Sequence, residues 1–259
     1  MANRNDFILK LERARYHIDD LEAQLTTWAH SGHHSVLNEP DPDSGSDCFR
    51  IRVVSDPVPT DPFSVIIGDV LHNLRSTLDH LAYALAVKHT SPLPDDIAKG
   101  SEFPIFASDN VNAIVRRIRG MDPSAQAVIK SLQPFHRGKD FALDPLWMLY
   151  ELSNIDKRRL LLVGTVSNVA AGFRPGMSYN YKLLGTNVYD TMIEGEAIVV
   201  RYRAVPDDPG KTMHVEFDPL LQIAFKSPIT MCGKGVIKTL NTVHDYINTR
   251  VFGLLGKFL

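Results

Sequence analysis

An α+β fold is predicted by three observations. The N-terminal segment carries an apolar stripe of helical period, residues 62–89 carry a longer one, and Leu160 to about Phe225 changes to short alternating apolar runs. A further helical stripe closes the chain. The expected architecture is a helical bundle built from N-terminal, central and C-terminal helices, with an antiparallel β meander packed against it. One domain, residues 1–259, should hold all of it: helical parts at about 5–29, 62–158 and 231–258, β parts at 48–54 and about 160–226.

In the first segment Ile8, Leu11, Ala14, Ile18, Leu21, Leu25 and Trp28 recur at intervals of three and four, so a helix over about 5–29 should bury that stripe. The polar run from His30 to Asp47 has no period and reads as a surface loop. From Cys48 to Val54, Phe49, Ile51 and Val53 alternate with Arg50 and Arg52, as in a half-buried strand. Asp61 then stands as an N-cap with Pro62 at the first helical position, where its missing N–H costs nothing.

The seam that follows is the strongest in the chain. Phe63, Ile67, Val70, Leu74, Leu78, Leu81 and Leu85 lie on one face of a helix roughly 40 Å long, the central member of a bundle, ended by SPLPDD. Residues 108–119 and 123–132 read as shorter helices, the second capped by Asp122 before Pro123. Asp144 and Pro145 open another, which turns Leu146, Trp147, Leu149, Leu152 and Ile155 inward and closes on Lys157, Arg158 and Arg159. Cations suit the negative end of a helix dipole.

LLLVGTV, VYDTMI, AIVVRYRA and KTMHVEF supply the meander, with VPDDPG (residues 205–210) as a turn between two of them. In the last helix Ile237, Leu240, His244, Ile247, Val251 and Leu254 form the stripe, and Gly233 and Gly235 weaken its start.

Composition narrows the function. Twenty-eight Lys and Arg stand against 30 Asp and Glu, so no global field draws the chain to nucleic acid, and such binding would need a local patch. Cys48 and Cys232 are too few for a disulfide framework or a thiolate zinc site. Without a signal-peptide core or a long apolar run, the expectation is a soluble cytoplasmic protein with no membrane partner. Phosphate loops, nucleophile elbows and His-Glu-x-x-His motifs are absent.

The chemistry-bearing feature is the polar face of the central helix. Opposite the leucines stand Asp69, His72, Asn73, Arg75, Ser76, Asp79, His80 and Tyr83, without one Lys or Glu. Solvated helix faces favour Lys, Glu, Gln and Arg; His, Asn, Asp and Ser are mediocre helix formers that excel at fixed hydrogen bonds. Such a face is an ordered network, either structural or lining a functional site. Three- and four-residue spacings bring Asp69 near His72 and Asn73, His72 near Ser76, Arg75 near Asp79 and Ser76 near His80.

Arg75 and His80, separated by four residues, have the Arg-x4-His form that resembles the signature of the HEPN superfamily of helical nucleotide-binding and RNase domains. The resemblance implies a homodimeric helical bundle that cleaves RNA without metal or cofactor, the 2′-hydroxyl attacking the adjacent phosphate, in a toxin or defence setting. His80 would be the general acid or base, Arg75 the phosphate-stabilising group, and Asp79 or Asn73 would orient them. Five positions separate Arg75 from His80 by about 140° on the helix, so they would converge through a long rotamer or across a two-fold axis. The alternative is a non-catalytic interaction module whose central-helix polar residues form a structural hydrogen-bond network.

Other signals have plainer readings. His30, His33 and His34 lie in a polar loop and read as solvated. His72 and His80, joined by a third ligand such as His136 or His244, would be about 12 Å apart along the helix, too far to share one ion. Arg50, Arg52, Arg201 and Arg203 occupy alternate strand positions, and with Arg116, Arg117 and Arg119 they would form an RNA-binding surface if these faces adjoined; otherwise they are the wet side of a sheet.

Overall fold

The two long helical stripes meet each other. The computed structural model describes residues 6–56, 59–170, 180–186, 196–205 and 218–259. Helix α1 (Asp6–His30) packs along α2 (Thr60–His89). All seven seam residues of α2 are buried, as are Leu11, Ala14, Ile18 and Leu21 of α1. The stripe of α1 begins at Phe7 rather than Ile8, which is 39% exposed, because Phe7 packs edge-on against Phe252 at 5.2 Å.

Between these helices the expected loop holds a strand. β1 (His34–Pro40) pairs antiparallel with β2 (Cys48–Ser55), from His34 opposite Ser55 to Pro40 opposite Phe49. As an edge strand it needs only backbone partners on one side, so its polar sequence gave no period to read. α2 also starts earlier than expected. Pro59 precedes it and no side chain caps it, so Asp61 sits in the first turn and Pro62 is still where no helical N–H is lost.

After α2 come α3 (Asp95–Gly100), α4 (Val111–Ile118) and α5 (Pro123–Ser131). Asn110 caps α4, accepting from the Ala113 N–H at 3.1 Å, and Asp122 caps α5, accepting from the Ser124 N–H at 2.7 Å. A 3-10 stretch (Pro134–Leu143) leads to α6 (Pro145–Asp156), where Asp144 accepts from the Leu146 N–H at 2.9 Å as its sequence implied. The span 62–158 is therefore not helical throughout: residues 101–106 form no helix or strand.

The β region is not a simple meander. β3 (Val163–Ala170), β4 (Asn180–Thr186), β5 (Glu196–Val205) and β6 (Asp218–Phe225) divide between two antiparallel sheets, one ordered β1-β2-β5-β4 and the other β3-β6. Joining β2 to β5, with Arg50 opposite Arg201, requires a pairing across 150 residues that no local pattern encodes. The β3-β6 pair contributes Val163, Ile223 and Phe225 to the helical core, and Ile51, Val53, Val200 and Tyr202 are buried on the larger sheet. VYDTMI, KTMHVEF and all of VPDDPG after Val205 lie outside the described residues.

The last helix begins at α7 (Val236–Asp245), later than 231, and passes through a π turn (Tyr246–Val251) into α8 (Phe252–Leu255). The wider turn moves the phase by about one residue, so Leu255 is buried where Leu254 was expected. No described helix is long and apolar enough to cross a membrane.

Candidate functional site

The polar face of α2 divides into two flanks. On one, Arg75 donates from Nε to Asp79 Oδ2 at 3.1 Å and from Nη2 to Asp79 Oδ1, Glu102 Oε1 and the Phe103 carbonyl, each at 2.8 Å. Asp79 Oδ1 also accepts the Phe103 N–H at 3.0 Å. Glu102 is shared with Arg117, whose guanidinium lies over the Phe106 ring. A second clamp comes from Gln133, which accepts the Phe106 N–H at 3.2 Å and donates to the Pro104 and Ile129 carbonyls.

Together these bonds strap residues 101–106 across α2. Segments without ladder partners must satisfy their buried N–H and C=O groups with side chains, and Arg75, Asp79 and Gln133 do so here. The Arg75 side chain is 12% exposed, and its Nη1 is buried with no partner among the described residues. Burial raises the Asp79 carboxyl above its ordinary value; the Arg75 charge and the Phe103 N–H pull the other way, and Glu102 adds to the rise.

On the other flank Asp69, His72, His80 and Tyr83 are exposed and Ser76 is half-buried. His72 Nε2 lies 3.5 Å from Ser76 Oγ, at the outer limit of a hydrogen bond. His80 makes no hydrogen bond among the described residues, so the expected Ser76–His80 pair does not form. Asn73 is 8% exposed and donates back to the Asp69 carbonyl at 2.8 Å, so it orients neither Arg75 nor His80. Asp79 holds Arg75 in place, facing the strap.

His80 and Tyr83 line a pocket of about 420 Å³ with Asp6, Phe7, Asp79, Ala84 and Ser101. Arg75 is not among its walls. Its acidic residues are Asp6 and Asp79, the latter with its carboxylate committed to Arg75 and the Phe103 N–H.

Sequence reasoning missed Asp156. A Cβ on Gly68 would meet Asp156 Oδ1 at 2.6 Å, so the carboxylate of α6 lies directly over the bare backbone of α2 at this position. Burial raises the Asp156 carboxyl, Asp69 raises it further, and His72 offsets part of the rise. The readable signal was a glycine inside a strong helical seam, costly there unless something approaches closely. Glu102, Phe103 and Gln133 carried no such signal.

The remaining candidates have local partners. His33 Nδ1 lies 3.0 Å from Asp56 Oδ2 and stacks on Trp28, and His30 contacts the Thr26 carbonyl. His136 contacts the Lys130 carbonyl and His244 lies 3.1 Å from Asp245. No group of three or more His, Cys, Asp or Glu among the described residues could hold a metal ion. The sheet arginines are neutralised: Arg50 and Arg52 share Glu39, Arg52 also reaches Glu196, Arg201 pairs with Asp41 and Arg203 with Asp47. No protein-family model, curated protein or solved structure matches this chain.

Proposed function

We propose that the chain is a non-catalytic interaction module in which the polar residues of α2 serve as a structural hydrogen-bond network. One observation carries this reading: the Arg75 guanidinium is nearly buried and committed to Asp79, Glu102 and the Phe103 carbonyl. A guanidinium that stabilises a phosphate needs its donors free toward solvent, and these face a segment of the same chain. The test is to measure stability and RNA cleavage together. Arg75→Ala should lower the melting temperature, and wild-type protein should leave RNA intact in EDTA; an unchanged melting temperature would overturn the network reading. A reducing, cytoplasmic setting suits two free thiols, Cys48 and Cys232.

A second reading is favoured by the open position of His80 on its pocket. It is the HEPN-like one, a metal-independent endoribonuclease acting as a homodimer on RNA or a nucleotide, of toxin or defence type. His80 would transfer the proton, and a second copy would supply the cation that Arg75 of the same chain does not present. Cyclic-phosphate ends on RNA fragments, abolished by His80→Ala without a change in melting temperature, would establish it.

A further inference from the structure

The surface where α6 hands over to β3 combines cations and aliphatic side chains. Lys157, Arg158 and Arg159 follow α6, all exposed, and Leu160 and Leu162 beyond them are 46% and 55% exposed. The Lys226 N–H bonds the Leu162 carbonyl at 2.8 Å, extending the β3-β6 ladder by one pair, so Lys226 and Leu162 share a face. The stem of Lys226 covers Gly164. Three residues on, Ile229 is 91% exposed, and its neighbour Thr230 donates to Glu151 Oε2 at 2.6 Å, tying this loop back to α6. The two leucines, the isoleucine and the four cations therefore lie on two adjoining chain segments, 157–162 and 226–229.

None of Lys157, Arg158, Arg159 and Lys226 has an ion-pair partner among the described residues. Of the nearby carboxylates, Glu151 accepts from Thr230, and Asp156 lies over Gly68 on the α2 side of the helix. The dipole of α6 accounts for cations at this end. It does not account for three large aliphatics left in water beside them.

We propose that this patch docks the protein on an anionic membrane surface, the cations meeting lipid headgroups and Ile229, Leu160 and Leu162 entering the interfacial layer. This needs no spanning helix and does not depend on the network reading of α2. An isoleucine left 91% exposed among cations suits a fluid anionic phase, whereas a protein partner would need a matching hollow. RNA is an outcome of the test rather than the occupant proposed, because the exposed side chains of Leu160, Leu162 and Ile229 give a base nothing to stack on.

Flotation of the full chain with phosphatidylcholine vesicles, with and without phosphatidylserine, tests the proposal. Binding should require phosphatidylserine and weaken with added salt without vanishing. Reversing Lys157, Arg158 and Arg159 together to Glu should reduce partitioning about a hundredfold. Ile229→Asp should reduce it about tenfold. Ile229→Asp changes an exposed loop group, so its melting temperature should match the wild type; the triple reversal places acids at the negative end of the α6 dipole and should lower it by a few degrees, so its binding is measured well below its own transition. The proposal is overturned if phosphatidylserine makes no difference, if neither variant weakens binding, or if the patch retains a single-stranded RNA oligonucleotide and no vesicle.

Discussion

Arg75 and Asp79 lie on a flank of α2 that residues 101–106 cover, whereas His72, His80 and Tyr83, rotated around the same turns of the helix, lie on a flank open to solvent. Both flanks draw on the same kinds of side chain. On the covered flank Arg75 and Asp79 each reach a backbone group of Phe103, from a distant part of the chain, as well as each other. On the open flank the histidines have at most one weak local contact. An unusual polar composition on a helix thus marks order, and only the element packed against it decides whether the order is structural or available to a ligand.

The largest effect should come from the covered flank. Arg75→Ala removes the guanidinium from Asp79, Glu102 and the Phe103 carbonyl, leaving Asp79 only the Phe103 N–H and Glu102 only Arg117, which should cost about 2–4 kcal/mol. For a chain of this size that is a fall in melting temperature of roughly 10 °C, measurable by thermal denaturation. Gln133→Ala removes the other clamp and strands the Phe106 N–H and the Pro104 carbonyl, for about 2–3 kcal/mol in a chemical denaturation series. If either variant were as stable as the wild type, the strap would not be held as described.

Gly68→Ala probes the junction between the two flanks. Its methyl group would displace the Asp156 carboxylate from its place over the helix, a cost that offsets the better helix propensity of alanine and should leave a net loss of no more than about 1 kcal/mol. A gain in stability would show that the close approach does not constrain the crossing.

A smaller effect follows from Asp79. Its carboxyl is raised in the folded protein, so the folded state binds more protons than the unfolded state in the window starting at the ordinary value of 3.8. The contribution of Asp79 therefore declines as pH rises from 3.8 through the raised value. The stability of the wild type relative to Asp79→Asn should fall across that interval in paired denaturation curves; a rise would mean that the Arg75 charge outweighs burial. The smallest effect belongs to the open flank, where His72→Ala and His80→Ala should each change stability by no more than about 0.5 kcal/mol.

Legibility differed by element for physical reasons. The seam from Phe63 to Leu85 was readable because helical periodicity is local, and the caps at Asp122 and Asp144 were readable because a side-chain oxygen reaches only the next few N–H groups. β1 was not, since edge pairing asks little of side chains, and neither was the shift from Leu254 to Leu255, since a π turn leaves no mark in the pattern. Within the site, the pairing of Arg75 with Asp79 followed from their spacing, but Glu102 and Phe103 stand 27 and 28 residues away.

What the sequence by itself determined, then, was the α+β class, the buried stripe of α2 and the identity of the side chains on its other side, because each depends on interactions within a few residues. The tertiary structure alone decided that Arg75 turns into a strap, that the sheet arginines meet Glu39, Asp41, Asp47 and Glu196, and that His80 stays open. A side chain's partner is whatever the rest of the fold brings within hydrogen-bond range, and that is a property of long-range packing.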